Sequence, residues 1–271
     1  LPPIVKPSDE KTVLNEQLTQ EVFQQDNIHC VFDPKLCVSF VPQMLNSDYW
    51  LAQNAITGTA QGRGTTWFIE HHNQQWVLRH YYRGGLIGKL INDSYLFTGI
   101  ESTRAMREFA LLEKLQHWQL PAPKPVACNV SRHGLFDLCY RANLLSSRIE
   151  DAQDLVAILS KENINDELWI KIGATIKRFH NHGIYHHDLN AHNILINEAQ
   201  EVYLIDFDRG ELRNTNKKNS ESHWKESNMS RLKRSFYKEL HQLADFNFTD
   251  NHWQILLSGY TNNQSKNVNS N

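Results

Sequence analysis

Residues 180–210 read HNHGIYHHDLNAHNILINEAQEVYLIDFDRG, and no other stretch constrains the fold of this chain as much. Residues 193–196 and 202–205 are apolar runs too brief for helices, with the polar 197–200 between them, so the pattern predicts a β-hairpin. A loop ending in Asp188 leads towards the first strand, Asn193 opens it, and the second strand delivers Asp206. Two carboxylates and an amide therefore sit on loop ends tied together by one hairpin, where they can converge on a point. The rest of the chain has to bury the strands of that hairpin and leave this end open.

The spacing Asp188-Leu-Asn-Ala-His-Asn193 keeps the D-L-x-x-x-N pattern of a kinase catalytic loop, and Asp206-Phe207-Asp208 stands where D-F-G would. Phosphoryl transfer asks a protein mainly for positioning and charge neutralisation. Asp188 would orient the attacking hydroxyl and accept its proton, while Asn193 and Asp206 would offer oxygen ligands to magnesium. Either half of the pattern is common by chance; both halves joined by one hairpin favour a kinase-like site. A competing reading is a transition metal, because His180, His182, His186, His187 and His192 crowd the same stretch. There is no H-E-x-x-H, adjacent His186 and His187 point opposite ways on an extended loop, and His180 and His182 fall at a helix end where their side chains can meet free carbonyls.

With 271 residues, 31.6 kDa and a formal net charge of -2, the chain has room for one large or two modest domains and lacks the global basic signature of nucleic-acid binding. Cys30, Cys37, Cys128 and Cys139 form no CxxC and no dense framework, which suits a reducing cytoplasm. No run approaches a membrane span, so a soluble protein, at most attached to a surface, is expected.

Taken in order, residues 1–27 are polar with three prolines and read as a poorly ordered lead-in, and 28–32 and 37–41 as short strands, with a helix over 46–54. The glycine-rich 58–64 runs into a strand; Gly62 and Gly64 would let backbone N–H groups approach a nucleotide's phosphates, although an ordinary hairpin turn explains them as well. The next strand ends in VLRH, placing Arg79 in the slot of the kinase lysine, where it could neutralise phosphates. Residues 83–95 carry Arg83 and Lys89 among Leu86, Ile87, Leu90 and Ile91, which suits an anionic, lipid-linked substrate or else an irregular surface loop.

A helix is expected over 102–118, capped by Ser102 or Thr103, with Glu108 turned towards Arg79 and Glu113 solvated. Strands at 126–130 and 135–141 complete a first lobe (28–145). A polar connector at 142–150 then leads to a mainly helical second lobe (146–260). In that lobe Asp151 caps a short helix, a long helix opens at 165–167 and ends at Gly183, 231–238 belongs to a basic helix, and 250–260 is the last one. Residues 261–271 read as a disordered tail.

In order along residues 58–257, the blocks GRGTTWF, VLRHYYRGGL, YHHDLNAHNIL, LIDFDRG and SRLKRSF resemble the 3-deoxy-D-manno-octulosonic acid (Kdo) kinases, in the lipopolysaccharide kinase group of the protein-kinase-like superfamily. The resemblance implies an α+β, two-lobed protein-kinase-like fold and ATP- and Mg2+-dependent phosphorylation of the 4-hydroxyl of Kdo on a lipid A precursor. It also implies peripheral attachment to the cytoplasmic side of the bacterial inner membrane and no nucleic-acid partner. Carried onto this chain, the base is Asp188, the magnesium ligands are Asn193 and Asp206, and the phosphate-side pair is Arg79 with Glu108. Arginine at 79 and Asp208 in place of glycine depart from the general kinase pattern. A kinase for another small-molecule or protein hydroxyl, or a pseudokinase that binds a partner without transfer, are the alternatives; intact Asp188, Asn193 and Asp206 argue against the latter.

Overall fold

The computed structural model describes residues 20–61, 64–82, 93–213 and 218–261, and of 218–222 the backbone alone. The first half is an antiparallel sheet. It comprises β1 (Glu21–Gln25), β2 (Ile28–Phe32), β3 (Ile56–Gln61), β4 (Thr65–His71), β5 (Gln74–His80), the two-residue β6 (Tyr95–Leu96), β7 (Pro125–His133) and β8 (Cys139–Ser147). The order is β1-β2-β7-β8-β5-β4-β3, with β6 on β8. Alternation along β5 divides its side chains between two cores. Trp76 and Leu78 join Met44 and Ile69 on one face, with Trp50 of α1 (Ser47–Ala52). The opposite face takes Arg79 and, continuing the alternation, Tyr81, which packs with Phe109 and Leu112 of α2 (Arg104–His117).

The second half is mainly helical, as expected of an α+β two-lobed chain. A small sheet, β9 (Ala152–Asp154) with β11 (Ile194–Asn197) and β12 (Val202–Leu204), lies beside α3 (Leu155–Leu159), and β10 (Ile184–Tyr185) pairs with β13 (Glu211–Leu212). The Asn165 side chain accepts a hydrogen bond from the Leu168 N–H, 2.9 Å, and so starts α4 (Asp166–Asn181); Gly183, at φ 76°, ends that run. The remaining helices are α5 (Lys218–Gln242) and α6 (Asp250–Thr261). α6 lies on α4 backbone to backbone: a Cβ on Gly173 would come 2.7 Å from the Tyr260 nitrogen, and one on Gly259 2.7 Å from the Ile170 carbonyl carbon.

Several sequence expectations are corrected. The lead-in to 27 contains β1, an edge strand that needs only main-chain pairing to β2 and so leaves a weak apolar signal. Residues 37–41 are not a strand. Asp33 governs that region, its carbonyl accepting from the Cys37 N–H at 2.9 Å and its side chain from the Lys35 N–H at 2.8 Å. β8 begins at Cys139 because Gly134 (φ 83°), Phe136 (φ 54°) and Asp137 (φ 54°) make a tight turn, and it runs to Ser147, into the expected connector. Asp154, not Asp151, caps α3, accepting from the Ala157 N–H at 3.1 Å. α5 begins ten residues before Asn228, where the sequence is apolar-poor. Glu113, expected in solvent, is buried and hydrogen-bonded by Gln20. The sequence expectations for 1–19, Gly62, Arg83, Lys89 and 262–271 lie outside the described residues.

Candidate active site

Strand pairing brings the hairpin ends together. Ile194 pairs with Leu204, and the Ile205 N–H donates to the Asn193 carbonyl at 3.0 Å, so Asn193 lies beside the residue that precedes Asp206. His186 joins the two loops. Its Nδ1 accepts the Asp188 N–H at 3.2 Å and its Nε2–H donates to the Ile205 carbonyl at 2.9 Å, a pattern that needs a neutral ring. Burial lowers its pKa accordingly, against the opposing pull of that carbonyl. The Asn193 and Asn190 amides both donate to the Asp188 carbonyl, at 2.9 and 3.1 Å, while Asn190 Oδ1 accepts from the N–H groups of His192 and Asn193. The Asn193 amide oxygen is left without a protein partner among the described residues, and its backbone is tied to the residue that precedes Asp206. A carboxylate and an amide oxygen fit magnesium, a hard cation that takes few protein ligands and fills the rest of its shell with water and phosphate.

One stripe of α5 secures the Asp188 loop from beneath. Asn228, fully buried, accepts from the His186 N–H at 3.1 Å, donates to the His186 carbonyl at 3.0 Å, and also meets His180 Nε2 at 3.3 Å. Seven residues on, Ser235 Oγ accepts from the Ala191 N–H at 3.0 Å. Between them Arg231 Nη1 stands 3.7 Å from Asp188 Oδ1, and the Asp188 side chain is 52% open to solvent. None of these α5 residues except Arg231 was singled out from the sequence. An isolated Asn or Ser on a helix carries no local signal of a contact more than 40 residues away.

Across from the hairpin, Arg79 bridges two carboxylates. Its Nη1 lies 2.5 Å from Asp206 Oδ1, and its Nη2 donates to Glu108 Oε1. The Tyr81 hydroxyl donates to the other Glu108 oxygen at 2.6 Å. Burial pushes the Glu108 carboxyl up to about 6, against the opposing pull of Arg79 and Tyr81. The Asp206 side chain is 40% open. Desolvation alone would raise its pKa, but Arg79, aided by His186 and the Asp208 N–H, holds it below the usual carboxylate value. Asp208 is gripped by Arg104 of α2.

Gly64 immediately precedes β4, and a Cβ there would collide with the Tyr82 ring, so the bare glycine serves local packing. Of the crowded histidines, His180 binds the Tyr260 hydroxyl at 2.7 Å and Asn228, and burial drives its pKa down to about 3; His182 meets the Arg178 carbonyl at 2.9 Å. A cavity of about 590 Å³, lined by His80, Leu78, Asn129, Asn143, Arg141 and Asp93 among others, opens on the face of β5 opposite Arg79 and is separate from this chemistry.

The model of the lipopolysaccharide kinase (Kdo/WaaP) family matches residues 47–260. A 3-deoxy-D-manno-octulosonic acid kinase of Photobacterium profundum is 43% identical over 240 residues, spanning 87% of this chain and 95% of the relative. One from Haemophilus influenzae is 41% identical over 246 residues, 88% of this chain and 98% of the relative. Among solved structures, WaaP in complex with acyl carrier protein superimposes with a TM-score of 0.50 at 14% identity, over 80% of this chain and 84% of that one, a likeness of fold.

Proposed function

Because the chain belongs to the lipopolysaccharide kinase (Kdo/WaaP) family, we propose that it is an ATP- and Mg2+-dependent sugar kinase that phosphorylates the 4-hydroxyl of Kdo on a lipid A precursor. One observation carries the reading: Arg79 pairs at once with Glu108 of the first half's long helix and with Asp206 of the hairpin. The phosphate-side strand, the helix and the candidate metal-binding loop therefore meet at one point, and Asp188 and Asn193 are tied to that loop through His186 and Ile205.

Asp188 is the base. It is open to solvent, its backbone is fixed through His186 and Asn193, and its carboxylate can orient the acceptor hydroxyl and take its proton. Asn193 and Asp206 hold Mg2+, while bound ATP with that ion supplies the transferable phosphoryl group and neutralises its charge. Arg79 offers its guanidinium to the phosphates, and Glu108 holds it in place. Arg231, next to Asp188, gives a cation for the acid group of a Kdo acceptor. Arg83 and Lys89 are assigned to the acceptor on their sequence alone, and Gly62 and Gly64 to the nucleotide on theirs.

A lipid-linked acceptor places the enzyme on the cytoplasmic side of the inner membrane as a peripheral protein. Among the described residues no helix is long and apolar enough to cross a membrane. The β7–β8 turn supports surface attachment: Leu135, Phe136 and Leu138 are 76%, 85% and 53% exposed, with Leu96 beside them at 64%.

Incubation with Mg-ATP and a Kdo-bearing lipid A precursor, followed by mass and linkage analysis, is expected to find one added phosphate on O4 of Kdo, absent with Asp188→Ala. Phosphate on another acceptor, or a melting temperature raised by Mg-ATP with no transfer to any acceptor, would replace this reading with one of its alternatives.

A further inference from the structure

Arg104, Glu108 and Leu111 stand four and then three positions apart on α2, on one stripe of the helix. All three bear on residues 206–210. Glu108 does so through Arg79. Leu111 packs so closely over Gly210 that a Cβ there would lie 2.6 Å from Leu111 Cδ2. Arg104 forks onto Asp208, Nε to Oδ1 at 2.9 Å and Nη2 to Oδ2. The two side chains are 15% and 19% exposed, so this is a recessed pair rather than a surface one.

Arg104 is itself fixed. Its guanidinium carbon lies 5.1 Å from the ring centres of both Tyr81 and Tyr95, and Nη1 donates to the Tyr82 carbonyl at 3.3 Å and to the Tyr95 hydroxyl. Asp208 stands two residues beyond Asp206 on the same turn of backbone. Asp206 (φ 62°) and Arg209 (φ 57°) both hold left-handed backbone, which persists only where the surroundings over-determine it. The clamp on Asp208 falls between them.

We propose that Arg104 is a positioning residue for Asp206: by fixing Asp208 it fixes the left-handed backbone on which the Asp206 carboxylate is carried, and it keeps α2 seated on the hairpin. Aspartate in place of the usual glycine at 208 is then the acceptor for this clamp. A lysine could keep the charge at 104 but not the planar fork that sets the orientation. The inference rests on the reading of Asp206 as the residue that holds Mg2+ on the phosphates.

The test compares the full chain with Arg104→Gln, Arg104→Lys, Asp208→Asn and the Arg104→Gln/Asp208→Asn double variant. Turnover with Mg-ATP and Kdo-lipid is expected to fall about tenfold in each single variant, and the Mg2+ concentration for half-maximal rate to rise. Arg104→Lys is expected to recover little, and the double variant to be no slower than the slower single one. Backbone hydrogen exchange over 206–210, followed without nucleotide or acceptor, is expected to quicken in all of them.

A purely structural clamp would lower the melting temperature yet leave turnover and Mg2+ dependence unchanged well below melting, and that result overturns the proposal. So does unchanged exchange over 206–210. Faster exchange in the variants together with a wild-type protein that phosphorylates no Kdo would leave the positioning role standing and remove the acceptor assignment instead.

Discussion

Acidification from pH 7 to 5 is expected to slow phosphotransfer through Glu108. Burial holds this carboxyl at about 6, so about nine-tenths of the molecules carry it ionised at pH 7 and about one-tenth at pH 5. A proton on Glu108 removes the anion that Arg79 Nη2 binds and leaves the guanidinium to Asp206 alone. A hydrogen bond to a charged group contributes about 1.5–3 kcal/mol, so the protonated form is expected to turn over about ten- to a hundredfold more slowly. The ionised fraction then governs the observed rate, which should fall five- to tenfold, roughly, over those two pH units. Asp206, held low by Arg79 once its burial is overcome, stays ionised across the window. Stability responds in the opposite sense. The folded protein keeps a proton that the unfolded chain releases near 4.5, so between there and about 6 the fold loses stability as pH rises, by about 2 kcal/mol once the group is ionised. The assay is the initial rate from pH 5 to 8 at saturating Mg-ATP and Kdo-lipid, for wild type and Glu108→Gln. Titration of the nucleotide is common to both proteins, so the ratio of the two profiles isolates Glu108. The variant should be slow at pH 7 and lack the acid limb; profiles that superimpose after scaling would refute the argument.

Asp188→Ala should lower turnover at least about a hundredfold while Mg-ATP binding, read by calorimetry, is largely kept. Arg231→Gln should raise KM for the Kdo-lipid about tenfold and leave KM for ATP alone, a split readable from steady-state kinetics. Asn228→Ala strands the buried N–H and carbonyl of His186, a loss of about 3 kcal/mol that calorimetry should register as a melting point roughly 6–12 °C lower. Phe136→Asp with Leu138→Asp should abolish sedimentation with anionic phospholipid vesicles while leaving turnover of detergent-dispersed acceptor unchanged; retained sedimentation would exclude the β7–β8 turn as the attachment point.

The hairpin was legible because two short apolar runs and a polar turn leave little choice of structure, and the spacing of Asp188, Asn193 and Asp206 then follows from the strand ends. The pairing of Arg79 with Glu108 was legible because a strand of the VLRH type followed by a helix bearing a glutamate matches the order of a kinase lobe, where those two positions pair. Asn228, Ser235 and Arg104 could not be read in the same way. Their partners lie 42, 44 and 104 residues away in sequence, and neither propensity nor periodicity encodes such contacts. Glu113 went astray for a related reason. A glutamate on a helix is normally solvated, and only the approach of Gln20 from a distant segment makes its burial tolerable. At 33–41 local turn chemistry at Asp33 prevailed over strand propensity, and at 152–154 main-chain pairing to β11 moved the helix cap from Asp151 to Asp154.

The backbone approach of α4 and α6 at Gly173 and Gly259 means that the loop carrying Asp188 is founded on residues 250–261. α4 leads through β10 to the Asp188 loop, and α6 is pressed against α4 with no side chain at Gly173 to hold off Leu256 and Tyr260. Tyr260 also reaches back to His180, the residue where α4 is about to give way to that loop. A chain that stops short of residue 250 would therefore lose more than α6: Asp188 would rest on a helix with an uncovered flank, although no residue of the candidate site had been removed.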